Sequence, residues 1–475
     1  MKNLAVDLNL FPDSMDVYIV GGSLRDHLLN RPCFDYDLVV SRRAEVYADA
    51  LASKRHGHAI RLGKPDLEII RVVSEGGIYD ISPMNGTSIE EDLRQRDFTL
   101  NAMAYCLTTG QIVDPLGGRK DLADGIIRMV SPGIFRDDPV RLIRAFRMSA
   151  VLGFDIEPET AAKIEGDAGL VLGAAGERIR EELFKIMMTA RSHACLSAMA
   201  DSGLLFEIIP ELTKLRGCGQ NEHHAHDVFD HSLLAYRYLE EVLNDLDRQL
   251  PGSAGPIHQR VNGKQSALLK WAMLLHDIGK PAVRKAAADG RIHFHGHGRK
   301  SAEIADKISQ RLRFSNRQRH DIDTIIRYHS RPLLLYLSEK KQTLTDRGLT
   351  RFFMACGNLT PDVLLHSIGD SRGKGKTEQT DDFVVFAKTA LGMYYRDYLP
   401  RIQEPALITG HDLIETFGLS PSPLFKEILS GIETERLAGK ITSKAAALSA
   451  AKRRVEAESD PPNTIDPPDA DDRVS

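Results

Sequence analysis

The chain has 475 residues, of which 42% are hydrophobic and 27% charged, and these values predict a soluble globular protein of two to four domains. No apolar run reaches the roughly 18 residues of a membrane-spanning helix, and the N-terminus lacks the features of a signal peptide, so we expect a cytoplasmic protein without a membrane partner. The net charge of −4 argues against a nucleic-acid-binding protein, but what matters is whether basic residues cluster, and they do so at 136–147 and 177–185.

The first 130 residues predict an α/β domain in which short apolar strands alternate with helical segments. Strands are predicted over 17–22, 35–40, 67–73 and 78–82, and a helix over 44–55. The segments 98–107 and 111–116 complete the β-rich part, and the Asp-Pro and Gly-Gly pairs that follow mark a turn.

A glycine turn and a pair of carboxylates lie within this domain. The Gly-Gly-Ser sequence at 21–23 stands where the first strand turns into a helix, and such a turn offers backbone N–H groups and a helix dipole to phosphate. Arg25 follows on the first helical turn. Asp35 and Asp37 alternate on the second strand, so both project from one face and can bind one hard cation. The arrangement suits phosphoryl transfer with one or two Mg²⁺ ions.

From about residue 137 the pattern becomes helical. Residues 141–154 have apolar side chains at helical spacing, and Gly153 is the expected end of this helix. A second amphipathic helix is predicted over 177–188.

Four polar residues spaced by three precede and enter the first of these helices: Asp138, Arg141, Arg144 and Arg147. This spacing predicts that they lie on one helical face. An aspartate accepts from the exocyclic amine of C or A, and an arginine donates to a ring nitrogen or carbonyl, so such a face can select C and A. The alternative is that the arginines form a solvated face or pair with acids of the helix over 177–188.

Histidines concentrate between residues 223 and 329. His276 and Asp277 end an apolar helical run at 271–281, and His231 opens a predicted helix upstream. Imidazole and carboxylate groups together suit Mn²⁺, Ni²⁺, Fe or Co²⁺, with Mg²⁺ bound more loosely. Helical character returns over 361–453, and the proline-rich, acidic stretch 456–475 predicts a disordered tail.

Several segments resemble, in order, the motifs of the class II tRNA nucleotidyltransferase and bacterial poly(A) polymerase family, whose catalytic head is related to polymerase β. The segments are 20–40, 92–105, 113–122, 135–154, 177–187 and 408–429. The resemblance covers most of residues 17–450 of this chain. It implies an α+β protein. The implied domains are a nucleotidyltransferase head at 1–130, a helical neck for nucleobase recognition and RNA binding at 131–217, a helical HD domain at 218–375, a helical C-terminal RNA-binding region at 376–455 and a disordered tail at 456–475.

The resemblance also implies roles for individual residues. Asp35 and Asp37 are the expected catalytic Mg²⁺ ligands, and Asp138 and Arg141 are expected to contact the base edge. Together with the glycine turn, the predicted nucleotide-binding residues are Gly21, Gly22, Ser23, Arg25, Arg96, Asp97, Asp138, Arg141, Arg144 and Arg147. Two positions depart from the family pattern, with Asp137 in place of its usual glutamate and Gln95 in place of its usual arginine.

The histidine-rich region resembles an HD domain, a helical metal-dependent phosphohydrolase fold. The implied metal ligands are His231, His276, Asp277 and Asp370, and His297 and His329 match the additional histidines of HD domains that hold two metals. The implied metal is a divalent transition metal (Mn, Ni, Fe or Co) or Mg. Terminal 2′,3′-cyclic phosphates and 2′-nucleotides are the implied substrates, and clamping of RNA without catalysis is the alternative.

The predicted function is therefore the template-independent addition of C, A or both, from CTP and ATP, to the 3′ end of tRNA or another RNA. The segment 77–93 leaves little room for the flexible loop that helps the family's site change from C to A addition. CC-only addition, A-only addition and poly(A) synthesis therefore remain alternatives. A phosphohydrolase with a nucleotide-binding head and a non-enzymatic RNA-binding protein are further alternatives, which the intact set of Asp35, Asp37 and Arg25 disfavours.

Overall fold

The computed structural model divides the chain into two compact units, Met1–Ile186 with Cys195–Ile208, and Met187–Ala194 with Ile209–Ser475. The residues it describes are 11–12, 16–41, 43–62, 69–219, 226–252, 254–288, 291–375, 378–420 and 422–459.

The first unit is built on a seven-stranded mixed sheet. Its strands are β1 (Val17–Val20), β2 (Asp35–Val40), β3 (His58–Leu62), β4 (Ile69–Ser74), β5 (Gly77–Pro83), β6 (Ala104–Cys106) and β7 (Ile112–Val113). Their order across the sheet is β3-β4-β5-β2-β1-β6-β7, in which β2 and β5 run parallel and the other neighbours antiparallel. A small parallel pair, β8 (Ile126–Ile127) and β9 (Asp155–Ile156), follows.

The two faces of β2 have different surroundings because side chains alternate along a strand. On one face Tyr36 stacks on Tyr79 of β5 with ring centroids 5.3 Å apart. On the other face Val39 packs with Ile89 and Leu93 in a buried cluster. Asp35 and Asp37 lie on the same side of the strand as Val39 but beyond this cluster, where both are exposed.

Ten α-helices alternate with or follow these strands in the described part of the chain up to residue 208. They are α1 (Gly21–Leu28), α2 (Ala44–Lys54), α3 (Ile89–Arg94), α4 (Gly118–Asp124), α5 (Ile134–Asp137), α6 (Arg141–Leu152), α7 (Pro158–Asp167), α8 (Gly176–Met187), α9 (Ser192–Asp201) and α10 (Leu204–Ile208). As predicted, α6 ends at Gly153, which has a φ of 76° and therefore the left-handed conformation that glycine adopts without cost.

The segment 98–107 is less regular than the sequence predicted. It forms a 3₁₀ turn at Thr99–Asn101 before the short strand β6. The side chains of Thr99 and Asn101 bond to Asp121 and Asp97, which gives this segment polar contacts in place of a strand ladder. The predicted strand over 67–73 is observed as β4, and residues 67 and 68 lie outside the described residues.

The second unit is almost entirely helical. Its helices are α11 (Val228–Asn244), α12 (Leu246–Gln249), α13 (Ala254–Arg260), α14 (Lys264–Leu275), α15 (Lys280–Val283), α16 (His297–Arg311), α17 (Asn316–Tyr328), α18 (Arg331–Lys340), α19 (Asp346–Cys356), α20 (Thr360–Gly373), α21 (Glu378–Met393), α22 (Leu399–Gln403), α23 (Gly410–Phe417), α24 (Pro423–Leu437) and α25 (Lys444–Ser459). A short antiparallel hairpin joins β10 (Lys285–Ala286) to β11 (Ile292–His293).

Helices α11, α14, α17 and α20 pack on one another at the centre of this unit. Helix α14 is buried all round from Ala267 to Leu275, and every residue of this stretch except Lys270 is apolar. Helix α20 approaches α11 closely at two glycines. A Cβ at Gly369 would lie 3.0 Å from the Leu239 side chain, and one at Gly373 would lie 3.0 Å from Ala235. This close approach brings α20 and its Asp370 next to His231 on α11.

The predicted α+β class is confirmed by the mixed sheet of the first unit and the helices that surround and follow it. No helix among the described residues is both long enough and apolar enough to cross a membrane. The last helix runs to Ser459, past the predicted start of the tail at 456, and the rest of the predicted tail lies outside the described residues.

Candidate active site and metal centre

The glycine turn brings the start of α1 against the second carboxylate of β2. Gly21 has a φ of +66°, and a Cβ on it would lie 3.0 Å from Asp37 Oδ2 and 3.1 Å from Arg96 Nη1. Any side chain would therefore be strained and crowded at this position. The same close approach leaves the backbone of α1 beside the carboxylate that is expected to hold a metal.

Ser23 fastens this turn to β2. Its Oγ donates to the carbonyl of Val20 at 2.7 Å and accepts from the backbone N–H of Asp37 at 3.2 Å. The hydroxyl is buried and fully used inside the protein. A contact of Ser23 with a nucleotide would therefore come from its backbone N–H group.

Arg25 is also held within the first unit. Its side chain is 11% exposed, Nη1 donates to Asn101 Oδ1 at 2.8 Å, and Nε donates to Asp26 at 2.9 Å. The guanidinium therefore supplies fixed positive charge behind the glycine turn.

The carboxylates of β2 lie beside a third carboxylate on β5. Asp37 pairs with Asp80 in the parallel register of the two strands. The protein atoms packed around the Asp37 carboxylate partly desolvate it and so raise its pKa. Arg96 lowers this pKa, and the Asp80 and Asp35 carboxylates raise it further. A divalent cation would relieve this repulsion, so two neighbouring oxygen donors fit Mg²⁺ with phosphate and water oxygens as the other ligands.

Asp80 is paired with Arg71. Arg71 Nε and Nη2 donate to the two carboxylate oxygens of Asp80 at 2.7 and 2.8 Å. No group of three candidate ligand atoms converges in the described part of this sheet. Asp35 and Asp37 therefore remain the predicted metal ligands of this site.

Arg96 and Asp97 occupy different environments although they are adjacent. Arg96 donates to Asp92 Oδ2 from Nε and Nη2 at 3.1 and 2.9 Å, and its Nη1 borders the glycine turn. Asp97 is buried, accepts from the N–H of Phe98 at 2.8 Å, and pairs with Arg144 at 2.9 Å. Burial is the largest single influence and raises the pKa of Asp97, but Arg144, Arg141 and the hydrogen bonds from Asn101 and Phe98 together lower it, so the net shift is downward.

Asp138 does not lie on the helix with the three arginines, which corrects the predicted common face. It follows α5 in an extended conformation, with φ −147° and ψ 99°, and α6 begins at Arg141. The physical reason is Pro139, because steric contact with the proline ring disfavours the helical conformation of the residue before it. Arg178 of α8 donates to both oxygens of Asp138, at 2.9 and 2.8 Å.

The three arginines do share one half-buried face of α6. Arg141 donates to the carbonyl of Gln95 at 2.9 Å, Arg144 pairs with Asp97, and Arg147 pairs with Glu182 of α8 at 2.6 Å. Arg147 is therefore paired with an acid of the neck helix, as the alternative interpretation of the sequence held. Arg141 and Asp138 lie at the end of this row nearest to Gln95, which belongs to the segment 92–105.

In the second unit, two groups of buried ligand atoms converge within 4.8 Å. One comprises His231, His276 and Asp370, and the other His276, Asp277 and His329. His297 joins the second group, with its Nε2 3.5 Å from Asp277 Oδ1 and 3.1 Å from His329 Nε2. The structure thus brings together all six residues that the sequence assigned to a metal site.

These histidines share one orientation. The Nδ1 atoms of His276, His297 and His329 lie 2.9, 3.0 and 2.6 Å from the carbonyls of the residues three positions earlier. Each Nδ1 can therefore carry the proton and donate it to the backbone, which leaves Nε2 with a free lone pair. His297 Nε2 and His329 Nε2 then face each other at 3.1 Å without a proton between them, an arrangement that a cation stabilises.

Unsatisfied polar atoms and shifted pKa values mark the same place. His276 Nε2 and Asp277 Oδ1 are buried without a hydrogen-bond partner among the described residues. Burial opposes protonation of His276, but the Asp277 and Asp370 carboxylates prevail and raise its pKa to about 9. The two carboxylates that favour a charged His276 would equally favour a bound cation. The donor set therefore fits a divalent metal, and imidazole donors favour a transition metal.

Several residues of the two sites were missed by the sequence analysis. Lys280 Nζ lies 2.7 Å from Asp277 Oδ2, and the Asp-x-x-Lys spacing on one helical turn was the available signal. Arg178 lies in the segment 177–187, but the sequence analysis predicted no role for it. His366 lies one turn before Asp370 on α20, within an apolar stretch that gave no sign of the site.

Three family models match the chain. Residues 17–128 match the poly A polymerase head domain, 153–215 match the probable RNA and SrmB-binding site of polymerase A, and 228–352 match the HD domain. An A-adding tRNA nucleotidyltransferase from Deinococcus radiodurans is 31% identical over 438 residues, which span 89% of this chain and 92% of the relative. The chain belongs to the tRNA nucleotidyltransferase and poly(A) polymerase family. The resemblance drawn from the motifs is thereby confirmed.

Other members of the family have similar lengths. A CC-adding tRNA nucleotidyltransferase from Synechocystis sp. is 29% identical and is matched over 95% of this chain and 96% of its own. The fold matches the Thermotoga maritima CCA-adding enzyme complexed with tRNA, with a TM-score of 0.61 at 20% identity over 93% of this chain and 92% of that one. Membership in the nucleotidyltransferase and HD families implies divalent metal at both sites and nucleoside triphosphates as substrates of this nucleotidyltransferase.

Proposed function

We propose that this nucleotidyltransferase adds C, A or both, from CTP and ATP, to the 3′ end of tRNA in the course of CCA-end synthesis or repair. The observation that carries the proposal is the placement of Asp35 and Asp37 side by side on β2, next to the glycine turn at the start of α1. The related enzymes of similar length, named A-adding and CC-adding, support tRNA as the acceptor.

Each part of the first site has a role in this reaction. The backbone at Gly21, Gly22 and Ser23 holds the triphosphate at the N-terminus of α1, with Arg25 behind it. Asp35 and Asp37 hold Mg²⁺, which when bound supplies charge neutralisation of the triphosphate and of the developing pyrophosphate.

Asp138 and Arg141 select the base. Asp138 accepts from the exocyclic amine that C and A share, and Arg141 donates to the neighbouring ring nitrogen or carbonyl. The carboxylate of Asp138 is 24% exposed at the end of the arginine row and is held in place by Arg178. The remaining predicted residues act behind this pair by fixing the positions of α6 and of the segment 92–105. They are Arg96, Asp97, Arg144 and Arg147.

A more restricted activity is the second candidate, and the connection between β5 and α3 favours it. Only residues 84–88 join these elements, and they are tied down by hydrogen bonds from Asn85 N to Asp92 at 3.0 Å and from Thr87 N to Glu91 at 2.7 Å. This segment has no room for the loop that helps members of the family to change from C to A. We therefore propose that the enzyme adds a single kind of base, as the names of the CC-adding and A-adding relatives describe.

One experiment tests both proposals. The protein is incubated with Mg²⁺ and labelled CTP alone, ATP alone or both, on one tRNA that lacks the whole CCA end and on another that ends in CC. Growth of the first tRNA with CTP only, or of the second with ATP only, is the expected result. Completion of CCA on the first tRNA would contradict the restricted activity, long A tails would identify a poly(A) polymerase, and no addition would overturn the nucleotidyltransferase proposal.

For the second site we propose a phosphohydrolase that uses a transition metal and acts on 2′,3′-cyclic phosphates or 2′-nucleotides. The converging ligand atoms of His231, His276, Asp277 and Asp370 support this, with His297 and His329 available for a second metal. The test is release of phosphate or ring opening by protein loaded with Ni²⁺, Co²⁺ or Mn²⁺, with Asp277→Asn as the control. Metal binding without hydrolysis of any of these substrates would favour the RNA-clamping alternative.

A further inference from the structure

His366 is a fully buried histidine that the metal site described above does not use. It lies on α20, four residues before Asp370, and its relative exposure is 0%. Neither of its ring nitrogens has a hydrogen-bond partner among the described residues.

This environment is unlike that of the neighbouring histidines. His276, His297 and His329 each have Nδ1 next to a backbone carbonyl, whereas no such contact holds His366. A buried polar group without a hydrogen-bond partner destabilises the folded state. If packing were the only role of this side chain, an apolar ring would fill the same space and give a more stable protein than a neutral imidazole with two unpaired nitrogens.

The position of the ring points to the metal. The ring centroids of His276, His329 and His366 form a triangle with sides of 5.1 Å between His276 and His329, 5.2 Å between His276 and His366, and 5.6 Å between His329 and His366. Three imidazoles bound to one tetrahedral metal, with metal–nitrogen distances of about 2.1 Å, place their centroids about 5 Å apart. The three rings are thus spaced as they would be around a single ion.

We propose that His366 is a further ligand of the metal ion held by His276, Asp277 and His329. In the present rotamer its nitrogens are outside the two groups of atoms that converge within 4.8 Å. A turn of the ring about its own side-chain bonds is the movement that binding requires. The inference rests on the proposed metal site and adds a second ligand from α20, beside Asp370.

The test compares two variants of the full chain. His366→Phe keeps an aromatic ring of similar shape but removes both nitrogens. His320→Phe makes the same change at an exposed histidine on α17 and serves as the control. Binding of Co²⁺ is measured by calorimetry and by visible absorption, which reports the number and geometry of the ligands, after removal of bound metal.

For His366→Phe we expect an affinity for Co²⁺ lower by about tenfold or more and a changed absorption spectrum, with the control unchanged. Equal affinity and an identical spectrum in both variants would overturn the role of His366. Failure of the wild-type protein to bind Co²⁺ would instead overturn the proposed metal site itself, so the two failures are distinguishable.

A measurement on the wild-type protein removes any dependence on the folding of a variant. Crystals of the full chain grown with Co²⁺ are measured at the cobalt absorption edge, which locates each ion by its anomalous scattering. The proposal requires an ion within about 2.3 Å of a His366 nitrogen. Ions bound by His276 and His329 with His366 out of reach would contradict it.

Discussion

Arg178 donates one hydrogen bond to each oxygen of the Asp138 carboxylate, from Nη1 at 2.9 Å and from Nη2 at 2.8 Å. The arginine belongs to α8, and the aspartate stands in the extended link before α6. The two-pronged contact fixes the plane of the carboxylate, as guanidinium and carboxylate groups do when they pair side by side. Arg178 therefore orients the acceptor that is proposed to recognise the amine of C or A.

Removal of this acceptor should relax base selection. In Asp138→Ala the amine of C or A has no partner, and we expect discrimination against U and G to fall by roughly 1–3 kcal/mol, or about 5- to 150-fold. Single-turnover addition of each of the four nucleotides to tRNA measures this directly. Unchanged selectivity with only a slower rate would show that the base is selected elsewhere.

Substitution of Arg178 tests whether this residue orients the Asp138 carboxylate or only stabilises the fold. Because the pair is partly exposed, its loss should change the free energy of unfolding by no more than about 1 kcal/mol. Arg178→Ala should nevertheless lower the selectivity for C and A, and Arg178→Lys should restore it only in part, since lysine lacks the planar pair of donors. Wild-type selectivity in Arg178→Ala would limit this arginine to a structural role.

A buried ion pair in the second unit should matter much more for stability. Lys270 Nζ lies 2.9 Å from Glu240 Oε2, 3.0 Å from Ser192 Oγ and 2.9 Å from the carbonyl of Thr189. Lys270→Met leaves the Glu240 carboxylate buried without its counter-ion, and we expect a loss of about 3–5 kcal/mol.

The exposed pair of Arg237 and Glu241 on α11 provides the control. Arg237→Ala should cost no more than about 1 kcal/mol in the same thermal melts. Equal melting temperatures for Lys270→Met and Arg237→Ala would contradict a stabilising role of the buried pair.

The amino-acid pattern was sufficient for the elements that rest on local rules. Strand alternation placed Asp35 and Asp37 on one face, and the glycine at the end of α6 stopped the helix where expected. The α+β class followed from the same patterns. Asp138 was misplaced because helical spacing was extended across Pro139, although the restriction before a proline was visible in the sequence.

Contacts between residues far apart in the sequence could not be predicted from local patterns. The order of His231, His276, Asp277 and Asp370 indicated a metal site, but their convergence depends on the packing of α11, α14 and α20, including the close approach at Gly373. His366 has an apolar sequence context, and only its burial next to His276 sets it apart. Likewise, the pairing of Arg147 with Glu182 was one of two open alternatives until the structure showed it.

The two sites should act independently, since they belong to different units and use different donors. Oxygen ligands favour Mg²⁺ in the first, and imidazoles favour later transition metals in the second. Asp277→Ala should therefore remove Ni²⁺ or Co²⁺ binding and any phosphohydrolase activity, while nucleotide addition stays within about twofold of wild type, a change below 0.5 kcal/mol.

Chelation of transition metals from the wild-type protein, followed by addition of Mg²⁺ alone, should have the same selective effect. Because a buried ligand can also support its helices, the melting temperature of each variant is measured in parallel. A well-folded Asp277→Ala protein that lost nucleotide addition completely would refute the independence of the sites.

The most direct test of the central claim is nucleotide addition by wild-type protein and by Asp37→Asn on a tRNA that lacks its CCA end. Asn keeps the size of the side chain but removes the charge that holds Mg²⁺, and a loss of several kcal/mol of transition-state stabilisation lowers the rate at least about 100-fold. Binding of the same tRNA, which depends mainly on contacts to its phosphates, should be nearly unchanged. We predict addition of C or A by the wild-type enzyme and almost none by Asp37→Asn, whereas comparable addition by both proteins would contradict the assignment of the active site.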